Sequence, residues 1–119
     1  MIQDWQKLIE AMDGGVGALR AGAPEVMKSF SAMARGAHGG TALDAQTKEL
    51  IALAIAVATR CAPCIAYHAE AAARAGASRA AVLEAMSMAI YMGAGPAVMY
   101  AAQGLEAFDQ LAEKQACSA

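Results

Sequence analysis

Alanine constrains this chain more than any other feature. Roughly a quarter of its 119 residues are alanine, above the share expected of an average globular sequence. Alanine loses no side-chain entropy in a helix, and its small volume lets helix axes approach closely. Aromatic residues make up only 5% of the chain, and β-branched residues are few outside one segment. The expectation is an all-α fold of about six tightly packed helices. A chain of this length is the size of one ordinary core, so a single domain over residues 1–119 is expected.

Hydrophobic spacing places the helices. Trp5, Leu8, Ile9 and Met12 recur at i, i+3, i+4 and i+7, the stripe of a short helix that Asp13-Gly14-Gly15 closes. Pro24 opens a second helix with Val26, Met27, Phe30, Met33 and Ala34 inward and a stop at Gly36. His38 falls in the glycine-rich stretch that follows, which reads as a solvent-facing loop. A third helix begins at Asp44, a good N-cap, and runs to about Thr59. Its second half is apolar on nearly every side, so it is expected to be central. A fourth runs from the cysteines to Ala75-Gly76. Ser78 caps a fifth, with Val82, Leu83, Met86 and Ile90 inward. Gly93-Ala94-Gly95-Pro96 breaks the chain before a last helix carrying Val98, Ala101, Leu105, Phe108 and Ala112. A helix apolar all round is hard to enclose in so short a chain, which predicts burial against other subunits and hence a homo-oligomer.

Charge narrows the function. The net charge is −2 and no Lys/Arg cluster is present, so neither nucleic acid nor an anionic membrane surface is an expected partner. The first residues lack the basic region and apolar run of a signal peptide. The apolar stretch Leu50–Ala58 is far short of the roughly 20 residues that cross a bilayer. A soluble cytoplasmic protein is the expectation.

The chemistry is concentrated between Glu49 and His68. Cys61-Ala62-Pro63-Cys64 opens a helix, where the dipole and free N–H groups stabilise a thiolate, and Pro63 suits the first turn. Two thiols so spaced can close a disulfide with little backbone movement. His68 follows Cys64 by four residues and shares its helix face, so it can take a thiol proton or donate one to a leaving hydroxide. If the chain reverses near Arg60, Glu49 lies about 16 Å and His68 about 12 Å from the turn, nearly level across an antiparallel pair. A carboxylate there would orient the imidazole and complete a Glu49–His68–Cys64 relay. Cys64 is the expected attacking thiol, with Cys61 resolving; the reverse order is open. Cys117 lies in a polar tail and reads as a bystander.

These residues carry a resemblance. Thr47-Lys48-Glu49-Leu50-Ile51-Ala52-Leu53-Ala54, Cys61-x-x-Cys64-x-x-x-His68, Ala75-Gly76-Ala77-Ser78 and Met92-Gly93-Ala94-Gly95-Pro96-Ala97 resemble the AhpD-like branch of the carboxymuconolactone decarboxylase family, over roughly Thr41 to Phe108. The resemblance implies an AhpD-like helical bundle, obligate oligomers (a trimer or hexamer) and thiol-dependent reduction of hydroperoxides, with Glu49, Cys61, Cys64 and His68 at the catalytic positions. No metal or organic cofactor is expected, and the resemblance implies a dithiol or lipoyl-bearing partner as reductant. Pro63 stands where well-studied members can carry a second histidine. The decarboxylase branch lacks the cysteine pair, which argues against its lactone substrate.

Blander readings stand beside this one. Cys-x-x-Cys alone is also half of a zinc site, and an oligomer binding metal or a small apolar ligand, or a thiol redox sensor, would use the same residues. Met86, Met88, Met92 and Met99 read as core filler more readily than as a pocket for an apolar peroxide. Tyr67 and Tyr100 read as packing residues rather than donors in the site.

Overall fold

The computed structural model describes residues 1–118, and among them the structure is all-helical. The helices are α1 (Trp5–Gly22), α2 (Pro24–His38), α3 (Ala45–Ala58), α4 (Ala62–Arg74) and α5 (Arg79–Ser118). The central layer is α3, α4 and α5 packed on one another, with α1 against α4 and α5. Their shared core is built from Trp5, Ile9, Leu53, Val57, Ile65, Val82, Met86, Phe108 and Leu111 with alanines between them. Gly104 marks a close approach: a Cβ there would lie 2.9 Å from the Met86 sulfur and 3.4 Å from Val57 Cγ2.

Several boundaries follow local chemistry. Asp44 caps α3, its Oδ1 accepting Thr47 N–H at 2.8 Å, and Ser78 Oγ accepts Ala81 N–H at 3.1 Å at the start of α5. Gly76, at φ 85°, turns the chain out of α4. The N-terminus is held to α5 by Glu106, which accepts Trp5 Nε1–H at 2.9 Å and the Ile2 and Gln3 amides.

Three expectations are corrected. The first helix does not close at Gly14-Gly15 but continues to Gly22; a Cβ at Gly14, Gly15 or Gly17 would meet no neighbour within 4 Å, so these glycines answer no packing demand. The second helix passes Gly36 and ends at His38, and none of its residues is buried. Its stripe of Val26, Phe30 and Met33 is exposed, Phe30 by 56%. The third helix buries Leu53, Ala56 and Val57, but Ile51 and Ile55 face out, Ile55 by 56%. The expected break between a fifth and a sixth helix is borne out: Ala94, at φ 54°, ψ −137°, is non-helical, so Arg79–Ser118, labelled α5 as one, is two helices that meet at a kink. By length and composition α5 could cross a bilayer, which the Leu50–Ala58 stretch could not, but it is bent and packs against α3 and α4.

Candidate functional site

The site lies where α3 meets the N-terminal part of α4. Cys61 and Cys64 are joined in a disulfide. Cys61 is the N-cap of α4, and its sulfur accepts Cys64 N–H at 3.2 Å. A free amide hydrogen and the positive helix end are therefore aimed at the Cys61 sulfur, and both favour a thiolate after reduction. Both cysteines are half-buried. Arg60, just before them, sits at φ 58° and lines a cleft of about 170 Å³ with Val57, Met92, Gly93 and Pro96.

Glu49 and His68 meet as the antiparallel register requires. Glu49 is the buried ionisable residue of α3, and its Oε2 lies 2.9 Å from His68 Nδ1. The imidazole of His68 is about one-third exposed, so its ring is open to a small solute. Burial is the largest influence on the Glu49 carboxyl and pushes its pKa up. Hydrogen bonds from His68 and His38, reinforced by their charge, outweigh burial and hold it below the usual carboxylate value.

His38 was expected in a solvent-facing loop, and the structure overturns this. It is the last residue of α2 and lies against the site, with Nε2 2.9 Å from Glu49 Oε1 and Nδ1 2.8 Å from the Ala34 carbonyl oxygen. The Ala34 carbonyl first, then the Glu49 hydrogen bond and charge, raise the His38 pKa above its ordinary value. No local pattern marked it, since its partners are a backbone carbonyl and a residue of another helix, and the glycines around it masked the continuing helix. Lys48 braces the segment, its Nζ donating to the carbonyls of His38 and Gly40.

The other candidates fall away from this centre. Met86 is buried in the core, while Met88, Met92 and Met99 are exposed. Tyr67 donates its hydroxyl to Asp13 of α1, outside the site; burial first, then that acidic partner, pushes its pKa up to about 12. Cys117 is free and exposed. Among the described residues no group of three or more His, Cys, Asp or Glu side chains is placed to hold a metal ion.

A helical protein with a Cys-x-x-Cys disulfide and a glutamate–histidine pair on adjoining helices is the class that fold and site define. The chain belongs to the carboxymuconolactone decarboxylase family, whose model matches residues 24–107. It is similar to an uncharacterised protein of Haemophilus influenzae, 43% identical over 108 residues, covering 91% of this chain and 96% of that one. An uncharacterised protein of Cupriavidus necator is 35% identical over 111 residues, covering 93% and 98%. A crystal structure of an apo carboxymuconolactone decarboxylase family protein from Legionella pneumophila superposes with a TM-score of 0.88 at 41% identity, covering 91% of this chain and 96% of that one.

Proposed function

We propose that the protein is a thiol peroxidase of the AhpD-like kind, using the Cys61–Cys64 dithiol to reduce hydroperoxides. The observation that carries this reading is the Glu49–His68 hydrogen bond, made one helical turn beyond a Cys-x-x-Cys pair already closed as a disulfide. Glu49 fixes His68 with its hydrogen on Nδ1, leaving Nε2 as the basic atom on the face of α4 that also carries Cys64. In the reduced protein His68 takes the Cys64 thiol proton. The thiolate attacks the distal peroxide oxygen, the O–O bond breaks, and the departing alkoxide or hydroxide takes that proton back. The sulfur is oxidised to a sulfenic acid and the peroxide reduced to an alcohol or water. Cys61, its thiolate favoured by the Cys64 amide, then attacks the Cys64 sulfur; hydroxide leaves, is protonated to water, and the disulfide is restored. An external dithiol, itself oxidised to a disulfide, returns both thiols.

The test is peroxide consumption with a dithiol reductant by wild type, Cys64→Ser and His68→Ala. Turnover is expected to disappear in Cys64→Ser and to fall by roughly 10² in His68→Ala, the usual size of a general-base contribution. A wild-type protein that oxidises once and never cycles would point to a redox sensor instead.

A further inference from the structure

His38 is pinned at both ring nitrogens, and this fixes its protonation. A carbonyl oxygen only accepts, so Nδ1, 2.8 Å from the Ala34 oxygen, carries a hydrogen. Nε2 faces Glu49 Oε1 at 2.9 Å, and that contact also needs a hydrogen, on the ring or on the carboxyl. Imidazole is the stronger base by about two pH units, and half of the His38 side chain is in contact with solvent, so the hydrogen belongs to the ring. His38 is then an imidazolium donating to two acceptors.

We propose that His38 is a positioning residue for the dithiol site: as an imidazolium bound to Glu49 Oε1, it keeps the buried carboxylate ionised and turned so that Oε2 accepts the Nδ1 hydrogen of His68. This inference rests on the peroxidase reading only for what the site does afterwards; the arrangement of the three side chains stands apart from it. Without His38, Glu49 would keep a single imidazole partner and present a bare oxygen in a largely dry place, where protonation is easier. The groups facing His38 are few. Glu49 favours its charge, and Lys48, neighbouring it on α3, opposes it. His68 lies across Glu49 on α4, and Asp44 lines the adjoining cleft with Gly40, Thr41 and Leu43.

The test reads the thiols rather than peroxide turnover. In a Cys117→Ser background, the protein is reduced, freed of reductant, and alkylated with iodoacetamide across the pH range. Iodoacetamide reacts with the thiolate, so the acidic limb of the rate profile reports ionisation of the thiol, which the Glu49–His68 pair supports while Glu49 is held ionised and in place. His38→Ala is expected to move that limb upward by about half a pH unit to one unit, with the plateau at higher pH much less affected. His38→Gln keeps a donor to Oε1 but loses the charge, and its limb is also expected above that of wild type. Circular dichroism confirms that each variant is folded. Superimposed limbs for wild type and His38→Ala, a uniform fall in rate at every pH, or a glutamine variant matching wild type would each overturn the proposal. A moved limb with no peroxide turnover in any protein would sink the peroxidase reading and leave His38 in its role. Turnover with superimposed limbs would do the reverse.

Discussion

At the scale of single residues, the site is one carboxylate shared by two imidazoles, and its pH behaviour follows from the signs. His38 has a raised pKa, so the stability it contributes is complete below its ordinary value of 6.5 and fades as pH climbs through the raised one. Glu49 has a lowered pKa, so its contribution is complete above its ordinary value of 4.5 and fades as pH falls through the lowered one. Both are fully present between those two ordinary values. Thermal melts of wild type and His38→Ala should therefore differ most at about pH 5 to 6, and differ less at about pH 9 and at about pH 3. A gap that does not vary with pH would mean that His38 acts through packing alone. Cys61, Cys64 and His68 were legible in the sequence because their spacing at the start of one helix fixes their relation. Glu49 rested mainly on the family resemblance, an antiparallel turn near Arg60 only making its approach to His68 possible. His38 was not legible, because its partner lies on another helix and glycines on both sides read as a loop.

Among the elements, the helices were legible where alanine and capping residues agree, as in α3 and α4. They were misread where glycine interrupts. Gly14, Gly15 and Gly17 lie inside α1 with open space around each Cβ position, so the helix persists despite their entropy cost. Gly15→Ala should stabilise the protein by about 0.5–1 kcal/mol, measured by denaturant unfolding. Ala94 presents the opposite case. Its φ 54°, ψ −137° is a conformation that favours glycine, and the residue bends α5 there with Pro96 just beyond. Ala94→Gly should relieve that strain and stabilise by about 1 kcal/mol, after the added freedom of the unfolded chain is subtracted. A destabilised Ala94→Gly variant would mean that the methyl group contributes packing that outweighs the strain.

For the whole molecule, the exposed apolar surface carries the last prediction. The sequence suggested that α3 needs more cover than one short chain provides, and the isolated chain does leave Ile51 and Ile55 of α3 outside. The same lack extends to elements for which burial within the chain was expected. All of α2 is unburied, and Met92 on α5 is 77% exposed. Scattered apolar residues on a surface need no explanation, but rows on three helices do. The core takes Trp5, Leu53, Ile65 and Leu111 but leaves other large side chains outside, where a second copy can cover them. We therefore expect a homo-oligomer, with a mass by size exclusion and light scattering that is a multiple of the 12.1 kDa chain. Ile55→Asp and Phe30→Asp, made separately, place a charge in each of two faces without touching the core. Whichever lies within an interface should lower the assembled mass and make thermal stability depend on protein concentration. Because α2 delivers His38 to Glu49, loss of cover over Phe30 should also loosen the site, so Phe30→Asp should reproduce part of the His38→Ala shift in the alkylation profile. A wild-type chain that stays monomeric and stable at micromolar concentration would remove the oligomer and this coupling together.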